Sequence, residues 1–234
     1  MCVAEKVEKI FGIKAENELN FKHALTHTSY TKENDLPYEE CYERLEYLGD
    51  AVLKLTVSKI LYDKYPDYAE GQLSKIRSIV VSDNTLSKIA IKIGLNNLII
   101  SSVHEKKQGV NRLESVTACA FEAVLGAYYL DGKLEALYPV LKTWFEDYIE
   151  DVDKNFERFN AKAILQEYTQ GKTKETPVYE HVGAVGADHN KTFSVRVYYQ
   201  NKLVGEGAGK SKKDAEQHAA YMACKKLGAI ENEG

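Results

Sequence analysis

The spacing of apolar residues changes its period near residue 160, and this change constrains the fold more than any other feature of the chain. Residues 45–65, LEYLGDAVLKLTVSKILYDKY, place apolar side chains at the helical spacing of about 3.6 residues. Residues 192–200, TFSVRVYYQ, alternate instead and put Phe193, Val195 and Val197 on one face, as a half-buried strand requires. The chain is therefore predicted to contain a helical part followed by a part with strands.

The order of the predicted elements divides the chain into domains. Helical patterns continue to about residue 150, including two helices on either side of residues 82–84. After a charged stretch come one helix, three short strands and a closing helix. The fold prediction is an all-α domain at 3–152, a linker at 153–160, and a small α+β domain of α-β-β-β-α order at 161–229.

Charge and cysteine content indicate the class of protein. Residues 1–159 hold 20 basic and 26 acidic side chains, whereas residues 160–234 hold 11 basic and 9 acidic ones. This asymmetry suggests two domains with different partners, and the alternative is that it arose by chance. No apolar run approaches the roughly 18 residues of a membrane span, so no membrane association is expected. Four cysteines without a CxxC pair predict free thiols in a reducing cytoplasm.

A cluster of carboxylates marks the helical part. Glu43, Glu46 and Asp50 follow one another at steps of three and four, which places them on one helix face. Glu122 lies inside an otherwise apolar helix, where a carboxylate is costly unless it is paired or bound to metal. Carboxylate oxygens suit Mg²⁺ or Mn²⁺. The alternatives are a solvated acidic face and, for Glu122, a salt bridge to Arg44 or Arg77.

Four segments in this order resemble bacterial ribonuclease III, an endonuclease of double-stranded RNA. They are ALTHTSY at 24–30, ERLEYLGDAVL at 43–53, EGQLSKIRS at 70–78 and FEAVLGAYYLD at 121–131. The resemblance implies a homodimer with an all-helical catalytic domain. It also implies hydrolysis dependent on Mg²⁺, with Mn²⁺ as a possible substitute, giving 5′-phosphate and 3′-hydroxyl ends.

The resemblance also assigns roles to individual residues. By matching position, Glu46, Asp50 and Glu122 are the metal-site carboxylates, and Asp50 and Glu122 count as catalytic. Glu43 and Glu70 match accessory acidic positions near the cleavage site and are catalytic candidates. The resemblance also places Tyr47 at the dimer interface, at a position where the family usually has Phe.

Cys119 departs from the family pattern, because a fourth metal-site Asp usually stands three residues before Glu122. A thiol is a poor, soft ligand for Mg²⁺. Three outcomes are open: water replaces the missing ligand, the site prefers a softer ion such as Mn²⁺, or cleavage is lost and the protein only binds duplexes. Cys119 is otherwise interpreted as a small apolar core residue.

The C-terminal part resembles a double-stranded-RNA-binding domain from about residue 161 to 228. Its expected phosphate contacts lie at a helix N-terminus, where free N–H groups and the helix dipole attract anions. Two further elements match those that reach successive minor grooves of A-form RNA. The alternatives are a solvated basic patch and, for His189, a simple turn residue. The RNA-binding candidates are Gln166, Glu167, His189, Lys210, Ser211, Lys212 and Lys213.

Taken together, these features predict a cytoplasmic, metal-dependent endoribonuclease. The resemblance implies that its substrates are structured precursors such as ribosomal RNA and messenger RNA. The competing hypothesis, motivated by Cys119, is a non-cleaving or weakly cleaving regulatory protein that binds double-stranded RNA. A DNA-binding protein is a weak third interpretation, because no major-groove recognition helix is apparent.

Overall fold

The computed structural model describes residues 1–186 and 191–230, which divide into two compact units between Asp151 and Val152. The first unit is built from helices, joined in three places by 3-10 turns at Tyr38–Glu40, Leu95–Leu98 and Val110–Arg112. Its helices are α1 (Val3–Phe11), α2 (Glu18–Ala24), α3 (Thr28–Glu33), α4 (Glu43–Lys64), α5 (Glu70–Val80), α6 (Asp83–Lys92), α7 (Val103–Lys107), α8 (Glu114–Leu130) and α9 (Leu134–Lys154), and the unit boundary lies within the last turn of α9.

Helix α8 forms the centre of the first unit. Its side chains are apolar around most of the helix, and such a helix must be buried on most sides. Phe121 and Tyr128 are fully buried, and Phe21 packs edge-on against Tyr128 with ring centroids 4.8 Å apart. The Tyr128 hydroxyl donates to the carbonyl of Ile13 at 3.0 Å, so the polar group is satisfied inside the core.

Helices α4 and α8 touch through two glycines. A Cβ atom at Gly49 would lie 1.7 Å from the backbone oxygen of Glu122, and one at Gly126 would lie 2.3 Å from that of Leu45. Only residues without a side chain allow two helix backbones to approach this closely. The contact brings the acidic residues that flank Gly49 beside Glu122.

The second unit is a three-stranded antiparallel sheet with helices, in the strand order β1-β2-β3. Val195, Val197 and Tyr199 of the central strand are buried, and Phe193 packs partly buried against the same core. The alternation predicted for this segment is therefore confirmed. The elements are α10 (Phe156–Phe159), α11 (Ala161–Thr173), β1 (Val178–Val185), β2 (Thr192–Tyr199), β3 (Lys202–Gly209) and α12 (Lys212–Leu227).

Strand β3 packs on helix α12 without intervening side chains. A Cβ at Gly205 would lie 2.3 Å from the Ala219 oxygen, and one at Gly207 would lie 2.2 Å from the Ala219 nitrogen. Every second residue at the end of β3 is glycine, and alanine recurs every four residues along α12. The strand and the helix therefore each present one face that has no large side chains. This contact fixes the start of α12 at the end of β3.

The predicted fold class is confirmed in both units: the first is all-helical, and the second has the order α-β-β-β-α. Two details differ from the sequence expectations. The charged segment after residue 150 is largely helical, because α9 continues through Pro139 to Lys154 and α10 follows it. Strand β1 reaches Val185, three residues beyond the strand that the segment VYEHV at 178–182 predicts, with a register shift between His181 and Gly183. No helix in the described ranges is long and apolar enough to cross a membrane.

The glycine contact between α4 and α8 predicts a large asymmetry between two glycine substitutions. Gly49→Ala forces the helices apart, and we expect it to lower the free energy of unfolding by about 1–3 kcal/mol or more. Gly71→Ala in α5 is the matched control, because a Cβ there meets nothing within 4 Å. Alanine favours helix by ~0.5–1 kcal/mol over glycine, so the control keeps or gains stability. Urea unfolding measures both, and equal stability of the two variants contradicts the contact.

Candidate active site and nucleic-acid interface

Carboxylates from three helices meet in one pocket of the first unit, which we call the acidic pocket. Helix α4 contributes side chains at steps of three and four residues, so they share a face. Helix α8 adds two residues one turn apart, and α6 adds its first residue. The acidic pocket is lined by Tyr38, Tyr42, Glu43, Glu46, Tyr47, Asp50, Lys54, Val81, Asp83, Cys119 and Glu122.

Two of these carboxylates have partners that the sequence analysis did not name. Lys54 Nζ lies 2.7 Å from Asp50 Oδ2, and the Tyr38 hydroxyl donates to the carboxylate of Glu43. The spacing of Asp50 and Lys54, four residues apart in a helix, is a signal that could have revealed the first pair. The second depends on the 3-10 turn before α4. Lys54 thus places one positive charge in the acidic pocket.

Glu122 is the half-buried carboxylate at the centre of the acidic pocket. Burial, followed by the charges of Asp50, Glu46 and Asp83 in that order, raises the pKa of Glu122 to about 8. Within the part of the chain that the structure describes, Glu122 forms no salt bridge, so the expected alternative of pairing with Arg44 or Arg77 is wrong. The Arg77 guanidinium donates instead to Ser58 Oγ at 2.6 Å. The side chain is therefore available to a cation.

Cys119 lies one turn before Glu122 and lines the same pocket, as its spacing predicts. Burial raises the pKa of its thiol, with the charge of Glu46 the next cause, so the group is neutral at physiological pH. The thiol donates a hydrogen bond to Glu46, which partly offsets the rise that burial causes in the pKa of that carboxyl. Cys119 therefore supplies a donor hydrogen at a place where a carboxylate would supply charge.

Glu70 lies away from the other acidic candidates within a single chain. It lines a separate groove with Tyr62 and Leu73, and its carboxylate accepts from Ser74 Oγ at 2.7 Å. Tyr47 lies at the rim of the acidic pocket with 84 % of its surface exposed. The structure thus gathers Glu43 with the α4 and α8 carboxylates but does not bring Glu70 to them.

The chemistry of the acidic pocket suits a divalent cation. Its donors are carboxylate oxygens, the ligands that hard cations such as Mg²⁺ prefer. Burial first, and neighbouring carboxylates after it, raise the pKa values of Glu46 and Glu122, so a bound cation would favour their ionised forms. Across the described ranges no three His, Cys, Asp or Glu side chains converge closely enough to hold an ion as they stand. Metal binding therefore requires the carboxylates to turn toward a common point.

The start of α12 carries the predicted phosphate contacts. Ser211 caps the helix by accepting from the Asp214 backbone N–H at 3.1 Å. Lys210, Lys212 and Lys213 are exposed around this cap. The three lysines therefore surround free backbone donors at the positive end of the helix dipole, which is an arrangement that binds phosphate.

The other RNA-binding candidates lie on α11 or beyond the described residues. Gln166 and Glu167 are adjacent and exposed on α11, on the solvent side of the second unit. His189 belongs to 187–190, which lie outside the described residues. Lys162, one α11 turn before Gln166, contacts Glu216 of α12 and lies 4.8 Å from the ring centre of Tyr179.

Comparison with known proteins matches both units. The family model described as ribonuclease-III-like matches residues 16–148, more than half of the chain. The chain belongs to the ribonuclease III family. The double-stranded RNA binding motif matches residues 161–227. The chain is therefore an endoribonuclease of the ribonuclease III type that carries a double-stranded-RNA-binding domain.

Individual relatives agree over nearly the full length. Ribonuclease 3 of Syntrophobacter fumaroxidans is 39 % identical over 230 residues, covering 96 % of this chain and 95 % of that protein. Ribonuclease 3 of Campylobacter jejuni is 37 % identical over 233 residues, covering 97 % and 98 %. The crystal structure of the Campylobacter jejuni ribonuclease III nuclease domain matches with a TM-score of 0.56 at 34 % identity, covering 63 % of this chain and 97 % of that one.

The ribonuclease III site also contains an acidic residue that sequence reasoning missed. Asp83 opens α6 and lines the acidic pocket, where its charge raises the pKa values of Glu46, Cys119 and Glu122. In the sequence it belongs to residues 82–84, which the helical patterns on either side indicate only as a capping sequence between two helices. Its place in the pocket follows from the packing of α6 on α8, which no local pattern reveals.

The raised pKa of Glu122 predicts how stability depends on pH in the absence of metal. An ordinary glutamate titrates near 4.5 and Glu122 near 8, so the folded state binds more protons between these values and stability falls as pH rises through this window. Glu122→Gln removes the loss. Urea unfolding in the presence of a chelator measures this effect. We expect the free energy of unfolding of the variant to rise relative to that of the native chain from about pH 5 to about pH 8.5. Solvent screening of the half-buried group reduces the gain.

Glu114→Gln is the matched control, because Glu114 is exposed on the same helix. It keeps the native pH profile if the argument holds. A stability difference between Glu122→Gln and the native chain that is constant with pH contradicts the assignment.

Proposed function

We propose that this ribonuclease III hydrolyses phosphodiester bonds of double-stranded RNA at the acidic pocket, with divalent metal, leaving 5′-phosphate and 3′-hydroxyl ends. The observation that carries the proposal is the meeting of Glu46, Asp50 and Glu122 from two helices in one pocket. Carboxylates placed so close oppose one another's ionisation, and only a function that supplies positive charge explains why they stand together.

The residues of the pocket have distinct roles in this proposal. Glu46, Asp50 and Glu122 hold Mg²⁺, or Mn²⁺ in its place, and orient it against the scissile phosphate. When bound, the ion supplies an activated water molecule and stabilises charge on the phosphate and the leaving oxygen. Glu43, held by Tyr38, is the accessory acid at the edge of this site, and Glu70 is assigned to the cleavage region by its matching position.

The second unit holds the duplex while the first one cuts. Lys210, Lys212 and Lys213 contact phosphates across the narrow major groove, with Ser211 at the cap between them. Gln166 and Glu167 on α11, together with His189, reach the adjoining minor grooves. These contacts recognise the 2′-hydroxyls and the A-form shape rather than a base sequence.

A homodimer is supported by an exposed apolar stripe along α4. Tyr47, Leu55 and Tyr62 are 84 %, 58 % and 72 % exposed and follow at steps of eight and seven residues, so they share one helix face. Aligned exposed apolar side chains on a folded protein indicate an interaction surface. One crystal structure of the Campylobacter jejuni nuclease domain is described as showing structural flexibility in a region involved in dimer formation.

The proposed setting is the cytoplasm, with structured precursors such as ribosomal RNA and messenger RNA as substrates. All four cysteines are free, which suits a reducing compartment. Recognition of duplex shape rather than sequence suits substrates that fold into long stems.

The deciding experiment is cleavage of a generic long RNA duplex in Mg²⁺ and in Mn²⁺. We expect the native chain to cut and Glu122→Gln to lower the rate at least about 100-fold, since losing even an outer partner of a metal site costs 10–100-fold. End-labelling checks for 5′-phosphate and 3′-hydroxyl products, and Glu114→Gln is the control. Duplex binding without cleavage in either metal overturns the proposal and leaves the non-cleaving RNA-binding protein.

The lysines at the start of α12 predict the salt dependence of RNA binding. Changing Lys210, Lys212 and Lys213 together to Ala removes three phosphate contacts. We expect the slope of log affinity against log salt to become shallower by roughly three units, because each phosphate contact with a duplex contributes about 0.9. Fluorescence anisotropy with a labelled duplex measures it. The control is Lys202→Ala, at the opposite end of β3 from the α12 cap. An unchanged slope means that these lysines do not touch phosphate.

A further inference from the structure

The acidic pocket lacks charge at one position of its wall. Cys119 lines the pocket one turn before Glu122 on α8, and a thiol there carries no negative charge at neutral pH, whereas an aspartate would. Charge therefore comes from α4 on one side and from Glu122 alone on α8. The positive charge of Lys54 offsets Asp50 on the α4 side. A divalent cation in this pocket gains from any further carboxylate nearby.

Asp83 is the carboxylate that faces this gap from the third helix. It lines the pocket together with Cys119, Glu46 and Glu122. Within the described ranges it accepts no hydrogen bond or ion pair, in contrast to Asp50 and its lysine. Its charge thus reaches the pocket without being neutralised by a neighbour.

The position of Asp83 is fixed by contacts on both sides of the first turns of α6. Asn84 Nδ2 donates to Glu114 Oε2 at 2.9 Å, which ties the start of α6 to the start of α8. One turn later the buried hydroxyl of Thr117 donates to Ser87 Oγ at 2.7 Å. These two links hold α6 against α8, so Asp83 is presented to the pocket on a rigid element rather than on a loop.

We propose that Asp83 is a positioning residue of the metal site, supplying from α6 the negative charge that Cys119 does not supply from α8. This inference rests on the proposed function of the acidic pocket. The exposure of Asp83 indicates that it acts through water of the cation's hydration shell, which Mg²⁺ largely retains in protein sites. An acidic side chain in the first turn of a helix also stabilises that helix through its interaction with the helix dipole. The experiment separates this stabilising role from the proposed one.

The test is Mg²⁺ affinity of the full chain, measured by calorimetry without RNA. We expect Asp83→Asn to weaken binding about 10-fold, as outer partners of metal sites do. Unfolding in chelator serves as the second readout, because a helix-dipole role alone changes metal-free stability and leaves the Mg²⁺ affinity unchanged. Glu135→Gln is the control, since Glu135 is an exposed acid in the first turn of α9 and does not line the pocket.

Compensation between the two positions gives the sharper result. In a Cys119→Asp background, α8 carries its own charge, so Asp83→Asn should weaken Mg²⁺ binding much less than in the native background. Equal losses in both backgrounds, or a native-like Mg²⁺ affinity of Asp83→Asn, overturn the inference. Failure of the proposed function gives a different result. In that case the native chain shows no Mg²⁺ binding that Glu122→Gln abolishes, and the inference about Asp83 fails with the proposed function.

Discussion

The approach of α4 to α8 at Gly49 and Gly126 is the contact on which the rest of the first unit depends. A side chain at either position would overlap the backbone of the opposite helix. Because the backbones touch there, Glu46 and Asp50 on α4 face Glu122 on α8 across a narrow gap. That gap is part of the acidic pocket, and the absence of two side chains is what lets its two helices approach so closely.

The acids work against the fold that holds them. Glu46 and Glu122 both have raised pKa values, with burial the first cause and neighbouring carboxylates the next. A protein selected only for stability would place apolar side chains there, since α8 is otherwise an apolar helix. The unfavourable electrostatics are tolerated because the surrounding core, with Phe121 and Tyr128 at its centre, is well packed. Such local conflict between stability and charge is typical of a functional site.

Much of this could be predicted from patterns in the sequence because those patterns are local. The steps between Glu43, Glu46 and Asp50 are helix geometry, and the alternation along β2 is strand geometry. The neutral partner of Glu46 and the separation of Glu70 from the pocket could not be predicted, since each depends on how helices distant in sequence pack. The helical start of the second unit was missed because its charged composition is also typical of a linker.

The sequence by itself determined the family, the two-part architecture and the set of acidic residues, because motif spacing and hydrophobic period are properties of neighbouring residues. Only the tertiary structure decided which of those residues share a pocket and that Asp83 joins them from α6. The physical reason is that charge interactions and desolvation act through space at a few ångströms, whereas the sequence orders residues along the chain. Residues 39 apart in sequence, such as Asp83 and Glu122, become neighbours only when α6 packs on α8.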